Sequence, residues 1–311
     1  MSVLLETSLP LPLFRRGKVR DVYDLGDKLL IVSTDRISAF DVVLPSGIPD
    51  KGRILNQLSA FWFEKTAHMV PNHFIRVIDS LDTLEKVINE LEIFERLHEG
   101  RDAHAWAPQV VGRSMLVIKA RRIPVECVVR GYLAGSAWAE YKATRCVGNN
   151  RLPPGLQESQ ELPQPIFTPT TKSDVGHDRP LSAADIRAFG IEEIFEELKE
   201  KSLVLYQFAR DYARERGIII ADTKFEFGFV SGQLILIDEL LTPDSSRFWD
   251  SSRYRVGESQ PSFDKQPVRD WLIASGWDKE SAPPELPTHI VRQTCERYRE
   301  AYTRLTGRPL M

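Results

Sequence analysis

The stretch GIIIADTKFEFGFVSGQLILIDELLTPDSSRFW, residues 217–249, sets two β-strands around a glycine turn, and the first strand breaks its apolar rhythm with charge at alternate positions. Side chains alternate across a strand, so Asp222, Lys224, Glu226 and Gly228 share one face while Thr223, Phe225, Phe227 and Phe229 share the other. The aromatic face reads as core. The charged face reads either as a built site or as a solvated face in which Lys224 neutralises its neighbours. A loop of Ser231, Gly232 and Gln233, with Gly232 at positive φ, pairs Val230 with Leu234 and therefore Glu226 with Asp238. Cross-strand partners lie about 5 Å apart, where two like charges repel by roughly 3 kcal/mol at an effective dielectric of about 20. A cation between them relieves that repulsion. Mg²⁺ suits the place because it takes oxygen ligands, commonly one or two carboxylates together with nucleotide phosphates. Glu226 and Asp238 are then the candidate metal pair, with the solvated charged face as the alternative.

The chain around this hairpin has 311 residues, enough for about two domains or one large α/β unit. Hydrophobic residues make up 42% and charged residues 27%, the balance of a globular protein rather than a disordered one. A formal net charge of −3 calls for neither nucleic acid nor membrane as a partner, so any basic site must be local. The first residues lack a secretory pattern, and no later run approaches the 18 apolar residues of a membrane helix, so the expected location is the cytoplasm. Cys127, Cys146 and Cys295 are few, odd in number and far apart, which argues against a disulfide framework or a cysteine zinc site. Cys127 sits in the apolar run PVECVV and reads as a buried, inert thiol.

Toward the N-terminus, KVRDVY and KLLIVS flank the turn DLGD as a β-hairpin. Ile54, Leu55, Leu58, Phe61 and Trp62 recur at helical spacing, as do Leu84, Val87, Ile88, Leu91 and Phe94 within residues 83–98. SMLVIKA and VECVVRGYL read as buried strands, the second leading to Ser136 as the cap of a short helix. Residues 150–181 hold six prolines, too many for regular structure, and read as a long substrate-binding or lid loop. A helix over residues 191–216 ends at Gly217, and two more helices close the chain.

Polar clusters punctuate these elements. FRRGKVRDVY groups Arg15, Arg16, Lys18 and Arg20 around Gly17 at the mouth of a hairpin, either as a phosphate-covering loop or as a solvated hairpin end. It matches neither the helix-entering phosphate loop nor a strand-borne dinucleotide fingerprint. In VVRGYLAGS, Arg130 and Ser136 suit a phosphate or carboxylate, with a structural pairing of Arg130 to Glu126 or Glu140 as the alternative. TPTTKSDVGHD gathers Lys172, Asp174 and His177, and TPDSSRFW presents Arg247 beside two aromatics. So many polar clusters between apolar strands exceed what a purely structural fold needs.

Taken together, GKVRDVY, STDRISAFD, PVECVVRGYLAGS, TKSDVGHD, IIIADTKFEFG and LIDELLTPDSSRFW closely resemble the SAICAR synthetase family, in order and over nearly the whole chain. The resemblance is to the longer, single-function members. It implies an ATP- and Mg²⁺-dependent ligase of de novo purine synthesis that joins the carboxylate of carboxyaminoimidazole ribonucleotide (CAIR) to the amino group of L-aspartate. The implied fold is α+β: an N-terminal antiparallel β domain over residues 1–115, a larger central α/β domain over 116–255 with an ATP-grasp or kinase-like nucleotide cleft, and a C-terminal helical segment over 256–311.

Position by position, the resemblance implies that Gly17, Lys18 and Arg20 meet the nucleotide phosphates, and that Lys119, Ala120 and Arg121 meet adenine. Glu226 and Asp238 match the Mg²⁺ carboxylates. Asp222, Lys224, Arg130, Ser136 and Arg247 match positions that hold the ribonucleotide, with Lys18, Lys224, Asp222 and Glu226 at the reacting groups. Asp35, Arg36 and Ser38, like Lys172, Asp174 and His177, match segments near the substrates. Gly131 departs from members that carry Asn after the arginine. The expected state is a monomer acting on small molecules. A small-molecule kinase with the same nucleotide site, and a regulatory protein that binds ATP without turnover, are the rival readings.

Overall fold

The computed structural model describes residues 3–93, 103–172 and 179–310. They form an α+β protein that divides into two compact units, one of Met1–Glu64, His73–Lys119 and Asp264–Met311, the other of Lys65–Asn72 and Ala120–Phe263.

In the first unit the chain runs β1 (Leu13–Arg16), β2 (Arg20–Asp24), β3 (Lys28–Ser33), β4 (Arg36–Ala39), β5 (Val42–Gly47), α1 (Lys51–Thr66), β6 (Phe74–Val77), α2 (Leu81–Glu90), α3 (Ala103–Val110) and β7 (Ser114–Ile118). An antiparallel sheet of order β1-β2-β3-β7-β6 carries the apolar layer, and β4 and β5 pair separately. The helical spacing of α1 is used as read, with Ile54, Leu55, Leu58 and Trp62 all buried. Helix α2 begins where Ser80 accepts the Thr83 N–H at 3.1 Å, and it buries Leu84, Val87 and Ile88. It stops at Glu90, short of the expected span; Phe94 lies outside the described residues.

The second unit holds β8 (Arg121–Tyr132), α4 (Ser136–Thr144), β9 (Cys146–Val147), β10 (Asn150–Arg151), β11 (Glu161–Phe167), β12 (Thr170–Thr171), α5 (Ala183–Ala188), α6 (Phe195–Arg214), β13 (Ile218–Val230), β14 (Gln233–Ile237) and β15 (Ser246–Asp250). Its main sheet has the order β11-β8-β13-β14, with β12 also on β8 and β15 also on β13. Strand β13 is the axis. Along one edge it pairs with β8; along the other it pairs first with β15, at residues 218–223, and then with β14, at residues 226–230. Helix α6 lies on β8 and β13 through its buried face, which includes Leu198, Leu205, Tyr206 and Ala209, and Gly217 at φ 72° ends the turn after it.

Two expectations change here. The proline-rich stretch is not wholly irregular, because it contributes edge strand β11. Pairing of β11 with β8 skips from Glu161 to Ile166, so Pro163 and Pro165 fall where no ladder bond is needed. The β13–β14 hairpin also closes on two residues rather than three: Ser231 (φ 49°) and Gly232 (φ 82°) form the left-handed turn that matches strand twist. Val230 therefore pairs with Gln233, and Glu226 faces Ile237 instead of Asp238.

The last helices, α7 (Gln266–Ala274) and α8 (Thr288–Thr306), group with the first unit. Val268, Leu272, Leu286 and Ile290 pack with Ile37, Leu44 and Ile48 around the β4–β5 hairpin. Among the described residues, no helix is long and apolar enough to cross a membrane.

Candidate active site

Alternation on β8 puts Glu126 and Arg130 on the face that β13 furnishes with Asp222, Lys224 and Glu226, and the register sets Arg130 opposite Asp222 and Glu126 opposite Glu226. Two charge clusters result.

At one end, Asp222 accepts from Arg130 Nη1 at 2.9 Å and from Arg247 on β15, its cross-strand partner on the other side. Arg130 Nε also donates to Thr168 Oγ1 at 3.0 Å. The carboxylate in direct contact with Arg130 is thus Asp222, while Glu140 bears on it only through charge. Burial draws the Arg130 guanidinium below the usual arginine value, and nearby Arg247 adds to this, while Asp222 opposes it. Gly135, at φ 57°, is needed here: a Cβ on it would overlap Arg247 Nη2 and lie 2.6 Å from Cζ. Gly135 occupies the cap position of α4, so Ser136 is the first helical residue and makes no capping bond. Its Oγ instead lies 3.5 Å from Arg130 Nη2, the outer limit of a hydrogen bond.

At the other end, two buried carboxylates oppose each other. Lys224 Nζ donates to Glu126 Oε1 at 2.8 Å; Lys172 Nζ donates to Glu226 Oε1 and lies 3.8 Å from Glu126. Burial alone would lower the Lys224 value, but Glu126 and Glu226 outweigh it and hold the ammonium charged. Glu226 is pushed up to about 7, by burial first and by Asp238 second, against the pull of Lys172 and Lys224. Asp238 follows the end of β14 in a left-handed conformation, φ 70°, where the chain leaves the sheet. The metal-pair geometry expected from the sequence is therefore corrected: the carboxylate directly opposite Glu226 is Glu126, and Asp238 acts on Glu226 from outside the ladder.

Glu126, read from the sequence only as a possible partner of Arg130, is the site residue whose role sequence reasoning missed. Its signal is parity with Arg130 four positions on, within an otherwise apolar strand. Cys127, on the opposite face, is a buried thiol pushed up to about 12 by desolvation, which suits the inert reading. Asp174 and His177 lie outside the described residues.

In the first unit, Gly17 closes the β1–β2 turn by donating its N–H to Arg20 O at 2.8 Å. Lys18, 54% exposed, pairs with Asp41 at 2.5 Å, and Arg20 opens β2 half-buried. Arg36 reaches under this loop: Nη2 donates to Gly17 O at 2.9 Å and to Asp21 at 2.8 Å, and Nε donates to Lys18 O at 3.1 Å. Burial pushes the Asp21 carboxyl up, but hydrogen bonds from Arg36 and Thr7 outweigh it and hold it below the usual carboxylate range. Asp35 is completely buried, accepting the N–H of Leu4 and of Gly52, each at 2.9 Å, and pairing with Arg113 at 3.0 Å. It anchors the start of α1. Ser38 is buried on β4. Asp35 and Arg36 thus serve internal contacts in this structure. Lys119 pairs with Asp24 at 2.6 Å and sits over the Phe14 ring; the chain passes between the units at Lys119 and Ala120, and Arg121 stacks on Phe229.

A profile of the SAICAR synthetase family matches residues 13–284. The chain belongs to the SAICAR synthetase family. Within it, the chain is 51% identical over 307 residues to phosphoribosylaminoimidazole-succinocarboxamide synthase of Thermodesulfovibrio yellowstonii, covering 98% of this chain and 99% of that one. It is 50% identical over 310 residues to the enzyme of that name from Syntrophobacter fumaroxidans, covering 99% of this chain and 97% of that one. Among solved structures, SAICAR synthase of Saccharomyces cerevisiae complexed with SAICAR superposes with a TM-score of 0.85 at 43% identity, over 98% of this chain and 99% of that one. The family spans both units described above, including the charge clusters on β8, β13 and β15.

Proposed function

We propose that the two charge clusters on β13 are the substrate side of an ATP-dependent ligation of CAIR with L-aspartate, giving SAICAR, ADP and phosphate. Family membership makes the chain a carbon–nitrogen ligase of purine biosynthesis. The observation that carries the site assignment is the Arg130–Asp222–Arg247 cluster, set on the same sheet face as the Lys224, Glu126, Glu226 and Lys172 ladder. One end suits a phosphate monoester and ribose; the other suits a carboxylate undergoing activation.

A carboxylate does not acylate an amine at neutral pH, so activation comes first. The γ-phosphoryl group passes to a CAIR carboxylate oxygen, its bond to the β-phosphate oxygen breaks, and ADP leaves. The aspartate amine then attacks the acyl carbon of this acyl phosphate, phosphate departs with the bonding pair, and the amine gives up a proton. No covalent enzyme intermediate is required. Arg130, Arg247 and Ser136 hold the ribonucleotide phosphate, Asp222 orients both guanidiniums, and the two lysines set the carboxylate against the nucleotide, contributing mostly proximity and charge. Lys18 and Arg20, on the Gly17 turn, meet the triphosphate, and Lys119, Ala120 and Arg121 meet adenine in an ATP-grasp or kinase-like cleft. Asp174 and His177 are proposed near the substrates, and the cytoplasm is the proposed location.

Mg²⁺ fits the donor set. Among the described residues no group of three or more His, Cys, Asp or Glu gathers for an ion, but an ion carried by a nucleotide needs only one or two protein carboxylates. Glu226 and Asp238 would hold it; burial first and Asp238 second raise the Glu226 value, so its anion has room for a further cationic partner. When bound, it offsets charge on the transferred phosphoryl group.

ADP release measured with CAIR, aspartate and ATP, omitting each in turn, tests this reading. Release should require all three. Release that persists at full rate without aspartate points to the kinase reading, and binding of ATP without release points to the regulatory one.

A further inference from the structure

Strand β13 carries one irregularity beside the arginine cluster. Ile220 pairs with Phe248 and Asp222 with Arg247, so Ala221 is an extra residue opposite β15. A bulge of this kind bends a strand and re-aims the side chains that follow it. Without it, the regular ladder would set Ala221 opposite Arg247 and move Asp222 on to Ser246. Asp222 owes its place between Arg130 and Arg247 to that one extra residue.

Tyr206 reaches this point from the opposite side of the sheet. It is fully buried on α6, and its hydroxyl donates to Ile220 O at 2.7 Å, the carbonyl immediately before the bulge. Burial holds the phenol well above the usual tyrosine value, so the group remains a donor. It can enter because position 131 is glycine. Gly131 follows Arg130 on β8 and faces α6, and a Cβ there would overlap the Tyr206 hydroxyl and come within 2.7 Å of its Cζ. The departure from members with Asn at this position thus has a physical partner in this chain.

We infer that Tyr206 is a positioning residue of the ribonucleotide site: its hydroxyl, lodged in the space left by Gly131, fixes the Ala221 bulge that turns Asp222 between Arg130 and Arg247. The inference rests on the ribonucleotide reading of that cluster. Tyr206 touches no substrate and acts only through Asp222 and the two arginines.

Tyr206→Phe keeps the ring and removes the donor, leaving a buried carbonyl without its partner. The KM for CAIR should rise about tenfold while the KM for ATP stays within about twofold, measured well below the melting temperature. A purely structural role would lower the melting temperature and leave the ratio of the two KM values unchanged, which overturns the inference. The fit at position 131 is tested separately from activity. Gly131→Ala should shift the denaturation midpoint by less than about half as much in a Tyr206→Leu background as alone; additive shifts refute the lodging of Tyr206 there. Wild type that turns over no CAIR refutes the ligase reading, and the inference falls with it. Normal wild type with both KM values intact in Tyr206→Phe refutes the inference alone.

Discussion

Replacing Asp222 by Asn keeps the shape of the side chain and removes its charge from between two guanidiniums. Arg130 and Asp222 are buried nearly alike, at 12% and 10% side-chain exposure, while Arg247 is 32% exposed. Removing one member of a buried pair costs about 3–5 kcal/mol. Because Arg247 can turn partly toward water, the cost here is discounted to about 2–3 kcal/mol. For a chain of this length each kcal/mol moves the melting temperature by about 2–4 °C, so Asp222→Asn should melt about 5–10 °C below wild type. The two uncovered cations should then attract an oxyanion. An anion that binds only the folded state stabilises it in proportion to the logarithm of its concentration over Kd, so phosphate at about ten times Kd returns roughly half of the loss. The assay is thermal unfolding of both proteins in phosphate and in chloride at matched ionic strength. A variant that melts within about 1 °C of wild type, or that responds alike to phosphate and chloride, refutes the assignment of Asp222 as the charge that organises the cluster.

Glu226 gives a pH signature. Its value rises from 4.5 unfolded to about 7 folded, so its contribution to stability is present below the unfolded value and is lost as pH climbs to about 7. In chelator, the unfolding free energy of wild type should fall relative to Glu226→Gln by about 3 kcal/mol between pH 4.5 and 7.5; parallel curves for the two proteins would exclude it. Asp35→Ala should lower the melting temperature by more than about 6 °C, as expected for losing a buried ion-pair partner, and a folded variant with normal stability but no activity would return Asp35 to the substrates. Lys18→Ala, at an exposed pair, should leave the melting temperature within about 1 °C and raise the KM for ATP about tenfold, a split that steady-state kinetics and a melt resolve together.

Periodicity made the helices and the two-faced strand β13 legible, because burial of an apolar stripe needs no knowledge of partners. Direction was harder to read. STDRISAFD looks like a polar loop, yet Asp35, Arg36 and Ser38 are all buried, because the start of α1 and the carbonyls of the Gly17 turn need partners that local sequence does not announce. Register was harder still. Whether Ser231 accepts a left-handed backbone decides between a two-residue and a three-residue loop, and that single residue moves Glu226 from Asp238 to Ile237. Glu126 reads from the sequence only as a possible partner of Arg130, because its place opposite Glu226 shows only when β8 and β13 are laid side by side.

The shifted register strengthens the case for a cation rather than removing it. With Glu126 directly opposite and Asp238 acting from the end of β14, Lys172 and Lys224 stand among more than one pair of carboxylates, and Glu239 also bears on Lys224. Burial first and Asp238 second favour the protonated form of Glu226, against the pull of Lys172 and Lys224, and it stands near 7. A carboxylate left in that state is poorly stabilised as an anion by its neighbours, so a divalent cation arriving with ATP would exchange a proton for a better partner.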